Sequence, residues 1–217
     1  MKKIFLISFL SLTILFSSAY ARVYQDTENH WAKKSIDVVT NFNLMSAYER
    51  NSFKPDLLMK KVDFFAVINK LADLKKTYTV TFSDVSTDDK YYNDVAKAIK
   101  AGYLTPTMGK LYPEDPITRE EVCEILGYMY GLKKNTEILK EFSDANEISD
   151  SAKGYVGALV KANIINGYEA TKFAPKNEMT RAEIATVLGS LLNEYNRPQE
   201  RVVIDSKIKF GDRNLYE

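Results

Sequence analysis

Arg119 and Arg181 are the residues whose type and spacing point most directly to chemistry. Each follows a threonine and precedes a glutamate by two positions. Thr-x-x-Glu is the pattern of a helix start, in which each side chain hydrogen-bonds the backbone N–H of the other residue. A cation in the first turn meets the positive end of the helix dipole, which is mildly unfavourable. Both arginines therefore indicate a nearby anion, either a carboxylate of the fold such as Asp84 or Asp144, or a bound ligand.

The segment around each arginine recurs along the chain, which indicates internal repetition. Residues 179–184 are similar to residues 117–122, and a proline precedes each arginine by six positions. The same offsets locate a third, less similar copy, in which Lys60 and Lys61 replace the threonine and the arginine. Loss of the threonine cap should cost about 1 kcal/mol of helix stability. Lysine also lacks the planar, two-pronged donor geometry of arginine, which weakens carboxylate recognition.

Each copy is predicted to contain two amphipathic helices. After the last Thr-Arg pair, apolar residues follow the spacing of one buried helix face: Ile184, Val187, Leu188, Leu191 and Leu192. Each copy opens with an aromatic residue two positions before an aspartate, which places Asp26, Asp84 and Asp144 at equivalent positions. Helices of this length cannot bury their apolar faces alone, so the copies must pack on one another.

Together these residues resemble the S-layer homology (SLH) domain. The aromatic-x-Asp opening, Gly167 with Tyr168 after the first helix, Phe173 with Pro175, and Thr-Arg-Ala-Glu at residues 180–183 are similar to the family pattern. The resemblance covers three tandem copies between roughly residues 22 and 195, best in the third copy and weakest in the first. Ala47 stands where the third copy has Gly167, and we expect a left-handed turn to be harder to hold there without glycine.

The resemblance implies a mainly α fold, in which three helix-loop-helix repeats pack as a pseudo-threefold helical bundle or spindle with little β structure. It also implies grooves between adjacent repeats that bind a cell-wall polymer, commonly a polysaccharide bearing pyruvate ketals. Aromatic residues in such grooves, Trp31, Tyr92, Tyr155 and Tyr168, either stack on sugar rings or pack in the core. The expected ligand-binding residues are Arg119, Arg181, Lys61, Asp84, Asp144, Asp26, Trp31, Gly167 and Tyr168.

Residues 1–21 are predicted to be a signal peptide, with Lys2 and Lys3 before an apolar stretch and an Ala-x-Ala ending at Ala21. The apolar stretch is shorter than the ~20 residues of a membrane span. We therefore expect export to the cell envelope, either the cell wall and S-layer or the periplasm, without a transmembrane span in the mature chain. The predicted segments after the signal peptide are residues 22–76 (repeat 1), 77–136 (repeat 2), 137–195 (repeat 3) and a polar tail, 196–217.

Composition argues against several other functions. The formal net charge is +1, and removal of a signal peptide with two lysines would lower it by two, so no global field favours nucleic acid. Cys123 is the only cysteine, which excludes an intramolecular disulfide and favours a small buried residue. His30 has no second histidine or cysteine nearby to complete a metal site, and we expect it to cap a helix or lie at the surface. No cofactor or metal is expected.

Three functions follow as alternatives. The first is a non-catalytic anchor that binds a cell-wall polysaccharide or a polymer linked to peptidoglycan. The second is a module that binds another envelope protein or assembles an S-layer. The third is an enzyme, for which the paired carboxylates Glu120 and Glu121 would be the only local candidates. Adjacent residues of a helix point about 100° apart and do not flank a glycosidic bond, so we expect no enzyme and interpret these glutamates as a solvated helix face.

Overall fold

The computed structural model describes residues 24–192, so the predicted signal peptide and the polar tail lie outside the described residues. Within that range the fold is mainly helical, as predicted, and its β structure is limited to isolated bridges. Each predicted repeat holds two α-helices: α1 (Lys33–Asn41) and α2 (Lys61–Leu71), α3 (Tyr92–Ala101) and α4 (Arg119–Met129), and α5 (Asp150–Lys161) and α6 (Arg181–Leu192). A short 3-10 helix, Glu137–Glu141, precedes the third pair.

The threonine caps form as the sequence predicts. In α4 the hydroxyl of Thr118 accepts a hydrogen bond from the N–H of Glu121, and the Glu121 carboxylate accepts one from the N–H of Thr118. Thr180 and Glu183 make the same reciprocal pair at α6. Lys60 makes no side-chain cap at the start of α2. The second helix of repeat 1 therefore begins without the stabilisation that the other two repeats share.

A ring of backbone hydrogen bonds joins the three repeats just before their second helices. The N–H of Met59 donates to the carbonyl of Met179, that of Met179 to Ile117, and that of Ile117 back to Met59, at 2.8, 2.9 and 2.8 Å. All three side chains are at most 1% exposed. Because the same contact occurs three times in a cycle, the repeats are related by a pseudo-threefold axis, and the first repeat closes on the third.

The second helix of each repeat packs on the first helix of the next: α2 on α3, α4 on α5, and α6 on α1. A single apolar core runs through all of them. The helices therefore pair between repeats, and the contacts between neighbouring repeats form part of the apolar core. The start of each second helix consequently lies at the surface between its own repeat and the following one.

Candidate functional site

Arg119 lies between repeats 2 and 3. It is 6% exposed, and its guanidinium donates from Nε to the carbonyl of Phe173 at 3.0 Å and from Nη2 to the carbonyl of Asn166 at 2.7 Å. The same group lies over two aromatic rings, 4.9 Å from the centroid of Phe173 and 6.0 Å from that of Tyr168. Arg119 therefore fixes the loop of repeat 3 to the start of α4.

Arg181 repeats this arrangement between repeats 3 and 1. It donates from Nε to the carbonyl of Phe53 and from Nη2 to the carbonyl of Ser46, both at 2.8 Å. Its guanidinium lies 4.5 Å from the centroid of Phe53 and 5.4 Å from that of Tyr48. Thus two of the three inter-repeat grooves have the same build: a buried arginine, two backbone carbonyls and a pair of aromatic rings.

The groove between repeats 1 and 2 is built differently. Lys61, at the position of the two arginines, forms an ion pair with Glu121 of repeat 2, with Nζ 2.7 Å from Oε1. The tyrosine position of the other two grooves is taken by Pro106. This groove therefore lacks both the guanidinium and the aromatic neighbour, and the cation at the arginine position, Lys61, is paired with an acidic side chain of the fold.

The two arginines do not pair with the aspartates that were considered as their internal partners. Among residues 24–192 no ion pair joins Arg119 or Arg181 to Asp84 or Asp144, and the observed partners are backbone carbonyls. Carbonyls carry no net charge, so the formal charge of each guanidinium is not cancelled by a direct contact. Burial lowers the pKa of both arginines below its usual value, but arginine remains charged at neutral pH.

Part of each guanidinium remains available. Arginine has five N–H donors, and the bonds to described residues use Nε and Nη2 only. Within residues 24–192 the Nη1 donors of both arginines are therefore not used by another residue.

The three aspartates of the aromatic-x-Asp openings clamp a loop of their own repeat. Asp144 accepts hydrogen bonds from the N–H groups of Phe173 and Ala174 at 2.9 and 2.7 Å, and Asp26 and Asp84 make the equivalent pairs in their repeats. The second residue of each pair has a positive φ: Lys54, Tyr112 and Ala174. Because L-residues rarely adopt this conformation, the carboxylates stabilise strained turns. In repeats 3 and 1 these turns carry the Phe173 and Phe53 carbonyls, to which Arg119 and Arg181 donate from Nε.

The pKa of each of these aspartates lies below its usual value. Burial acts to raise the pKa of Asp144, but the hydrogen bonds from Phe173 and Ala174 outweigh burial and lower it. The same balance lowers the pKa values of Asp84 and Asp26, the latter with an additional bond from the Ser52 hydroxyl. All three groups are therefore ionised at neutral pH and occupied by backbone donors.

Gly167 has a role other than the expected left-handed turn. Neither Gly167 nor Ala47 is among the described residues with positive φ, so that expectation was wrong. A Cβ on Gly167 would lie 2.5 Å from the carbonyl oxygen of Glu169 and 2.9 Å from the ring of Phe142. The glycine is needed because the loop backbone approaches itself and the preceding aromatic residue too closely for a side chain.

The aromatic candidates divide into exposed and packed residues. Trp31 is 66% and Tyr168 59% exposed, but only Tyr168 has a contact with a groove arginine; the Trp31 ring lies beside His30. Tyr155 packs over Gly127 of α4 and under the ammonium of Lys134. Sequence reasoning missed Tyr48 as a site residue, although its offset from Phe53 equals that of Tyr168 from Phe173.

Glu120 is not on a solvated helix face, contrary to the sequence interpretation. It is 7% exposed and accepts hydrogen bonds from the N–H and the hydroxyl of Ser149 at 2.9 and 2.8 Å, and from Lys176. Ser149 precedes α5, so Glu120 caps the first helix of the next repeat. Burial acts to raise the pKa of Glu120, but the bonds from Lys176 and Ser149 lower it below its usual value.

Other candidate groups have structural positions. Cys123 is fully buried, and burial raises the pKa of its thiol to about 12, as a small buried residue requires. His30 accepts a hydrogen bond from the N–H of Ala32 at 3.2 Å, just before α1, and its Nε2 lies 3.3 Å from the Asp56 carboxylate. Among residues 24–192 no cluster of three or more histidine, cysteine, aspartate or glutamate residues is arranged for a metal ion. No helix in this range is long and apolar enough to cross a membrane.

Comparison with protein families assigns these repeats. The family model described as the S-layer homology domain matches three segments, residues 23–65, 81–123 and 141–185. Each matched segment begins near an aromatic-x-Asp opening and ends within a second helix. The resemblance stated from the sequence is thereby confirmed for all three copies, including the first.

Curated proteins with similar sequence are much longer than this chain. An amylopullulanase of Thermoanaerobacterium thermosulfurigenes is 33% identical over 81% of this chain and 10% of its own length. The exoglucanase XynX of Acetivibrio thermocellus is 34% identical over 80% of this chain and 16% of its own length. A surface-layer 125 kDa protein of Lysinibacillus sphaericus is 23% identical over 82% of this chain and 16% of its own length. The similarity thus concerns a small part of each relative.

Proposed function

The chain belongs to the S-layer homology domain family, and from that premise we propose that it is a non-catalytic anchor that binds an anionic cell-wall polysaccharide in its inter-repeat grooves. Domains of this family anchor proteins to cell-wall polymers. The observation that carries the proposal is the pair of buried arginines, neither of which forms an ion pair with a carboxylate of residues 24–192. We expect the polymer to be a wall polysaccharide or a polymer linked to peptidoglycan, and the protein to be exported to the cell envelope.

A carboxylate on the polymer is the ligand group that best fits the two arginine grooves. Arg119 and Arg181 are held in place by two carbonyls each, so little conformational entropy is lost when an anion binds. Charge-assisted hydrogen bonds from a fixed guanidinium are short and geometrically selective. A pyruvate ketal supplies such a carboxylate on a sugar ring, and the exposed faces of Tyr168 and Tyr48 lie beside the arginines, where they can stack on that ring.

The three grooves are proposed to differ in strength. The grooves of Arg119 and Arg181 have both the guanidinium and the tyrosine, whereas the groove of Lys61 has an internal ion pair and Pro106. An anion at Lys61 would have to displace Glu121, which also caps α4. We therefore expect two working grooves per chain. Asp26, Asp84 and Asp144 act in this scheme by holding the loops. Gly167 belongs to the proposed site because it precedes Tyr168 in the groove loop. Trp31 remains a predicted binding residue, and its ring lies beside His30.

A catalytic role finds no support in Glu120 and Glu121, the paired carboxylates considered from the sequence. Glu120 is engaged by Ser149 and Lys176, and Glu121 by Thr118 and Lys61. Both groups therefore serve as caps and ion-pair partners. The amylopullulanase and the exoglucanase share with this chain only 10% and 16% of their lengths, so the proposal concerns anchoring and does not extend their activities to this protein.

Binding to another envelope protein is the alternative function. The similarity to a surface-layer protein favours assembly into, or attachment to, an S-layer. The two functions predict different ligands for one surface, because a protein partner would not need the carboxylate of a wall polymer.

Co-sedimentation with purified cell walls tests the proposal. The protein should sediment with untreated walls and stay in the supernatant when the secondary polymer has been extracted beforehand. Variants Tyr168→Ala and Tyr48→Ala should bind more weakly with unchanged thermal stability, because both tyrosines are largely exposed; Pro106→Ala is the matched control in the third groove and should bind normally. If the wild type stays in the supernatant with untreated walls, the anchor proposal is wrong and a protein partner is the better hypothesis.

A further inference from the structure

Repeat 3 has an open crevice beside its loop. Its volume is about 560 Å³, within the range of small-molecule sites. It lies between the 3-10 helix Glu137–Glu141, the end of α5 and the loop of residues 163–170. Repeat 2 has no helix at the position of this 3-10 helix, because residues 74–82 are without regular structure. The connector before repeat 3 therefore supplies a wall of the crevice that repeat 2 does not have.

The crevice is lined by polar side chains of mixed charge that have no internal partner. None of the side chains concerned forms a hydrogen bond or ion pair with another described residue, and they are Glu141, Lys161, Asn163, Asn166 and Glu169. Acids, amides and a single ammonium together provide both donors and acceptors without a strong field of one sign. Such a lining suits an uncharged ligand rich in hydroxyl groups, and it disfavours a second carboxylate.

The crevice adjoins the groove of Arg119. Asn166 and Tyr168 line the crevice, and the same two residues contact Arg119, one through its carbonyl and the other through its ring. A polymer whose carboxylate is held at Arg119 thus reaches the crevice by continuing past Tyr168. Gly167, which also lines the crevice, keeps this path free of a side chain.

We infer that the crevice is an extended subsite for uncharged sugar residues that neighbour the carboxylated residue in the same polymer. This inference rests on the proposed function, because it places the next part of a ligand whose anion occupies the groove of repeats 2 and 3. The carboxylated residue would lie at Arg119 and its uncharged neighbours in the crevice beyond Tyr168.

Binding of size-fractionated wall-polymer fragments tests the inference. Carboxylated monomers and short oligomers of the extracted polymer would be titrated into the protein by calorimetry. The probe variant is Lys161→Ala with Glu141→Ala, which removes crevice donors and acceptors without touching Arg119. Lys100→Ala is the matched control, since Lys100 occupies the position of Lys161 on α3 and is exposed there.

Oligomers should bind the wild type at one site about tenfold more tightly than monomers, the ratio that one or two good hydrogen bonds supply. The crevice variant should lose this gain and keep monomer affinity, and the Lys100 control should keep both. Equal gain in the wild type and the crevice variant would overturn the subsite while leaving the anchor intact. If neither monomers nor oligomers bind the wild type, the proposed function itself fails and the subsite fails with it.

Discussion

At the residue scale, the two arginines serve the fold and the proposed ligand together. Each guanidinium donates from Nε and Nη2 to carbonyls of the next repeat, and its Nη1 donors form no hydrogen bond with another residue of 24–192. The sequence could predict that Arg119 and Arg181 needed an interaction partner, because a cation in the first turn opposes the helix dipole. It could not predict backbone carbonyls, since any residue supplies a carbonyl and the partner depends on how the loop folds.

Arg119→Lys should lower the free energy of unfolding by about 2 kcal/mol. A lysine cannot reach the carbonyls of Phe173 and Asn166 in the same two-pronged way, and bonds to charged groups contribute roughly 1.5–3 kcal/mol. Urea denaturation followed by circular dichroism measures the change. Lys61→Arg makes the reverse exchange at the equivalent position of repeat 1, and this control should not lower the free energy of unfolding. A stability of Arg119→Lys equal to that of the wild type would show that the carbonyl contacts are unimportant.

Acid should weaken the fold through the three loop-holding aspartates. Their pKa values are lowered in the folded protein relative to the usual 3.8, so the folded state binds fewer protons than the unfolded state there. Their stabilisation is complete above pH 3.8 and is lost as the pH falls through the folded pKa values. Thermal unfolding between pH 6 and pH 2.5 measures the loss.

Asp144→Asn is the informative variant for this pH dependence. The amide cannot ionise, so the variant should be less stable at neutral pH and its stability should fall less below pH 3.8 than that of the wild type. A variant with the full acid dependence of the wild type would locate that dependence elsewhere in the chain.

At the element scale, the crossing point of each inter-repeat helix pair has its own complementary residues. Gly127 of α4 faces Tyr155 of α5, and Gly189 of α6 faces Ser35 of α1. At the equivalent crossing of α2 and α3, the amide of Asn69 donates to the carboxylate of Asp94 and its oxygen accepts from the Tyr103 hydroxyl, at 2.9 and 2.8 Å. We infer that these different pairs favour the observed order of repeats, because an exchanged pair would clash or leave a buried polar group unpaired.

Gly127→Ala should destabilise the protein by about 1–3 kcal/mol, the usual effect of overpacking. A Cβ at this position would lie 2.5 Å from the Tyr155 ring, whose atoms are fixed by the crossing. Gly189→Ala is the matched control, since its Cβ would lie 3.1 Å from Ser35 and the gain in helix propensity offsets a small shift. Equal melting temperatures for the two variants would contradict close packing at the α4–α5 crossing.

At the scale of the whole molecule, the sequence predicted the repeat unit and the helix positions well. The caps at Thr118 and Thr180 and the missing cap at Lys60 follow from local patterns that the structure confirms. Long-range contacts were harder to predict: the burial of Glu120 depends on Ser149 of the next repeat, and no local pattern marks it. Tyr48 is a different case, because its offset from Phe53 matches that of Tyr168 from Phe173 and a closer comparison of the repeats would have found it.

Counting the binding sites for a carboxylated sugar tests the central claim most directly. A pyranose with a pyruvate ketal would be titrated into the wild type, Arg119→Lys, Arg181→Lys and Lys61→Ala by calorimetry, with its methyl ester as the uncharged control. We expect two sites in the wild type and in Lys61→Ala, and one site of unchanged affinity in each arginine variant that folds. The methyl ester should bind at least tenfold more weakly than the carboxylate. Equal binding of the ester, or two undiminished sites in both arginine variants, would contradict the central claim.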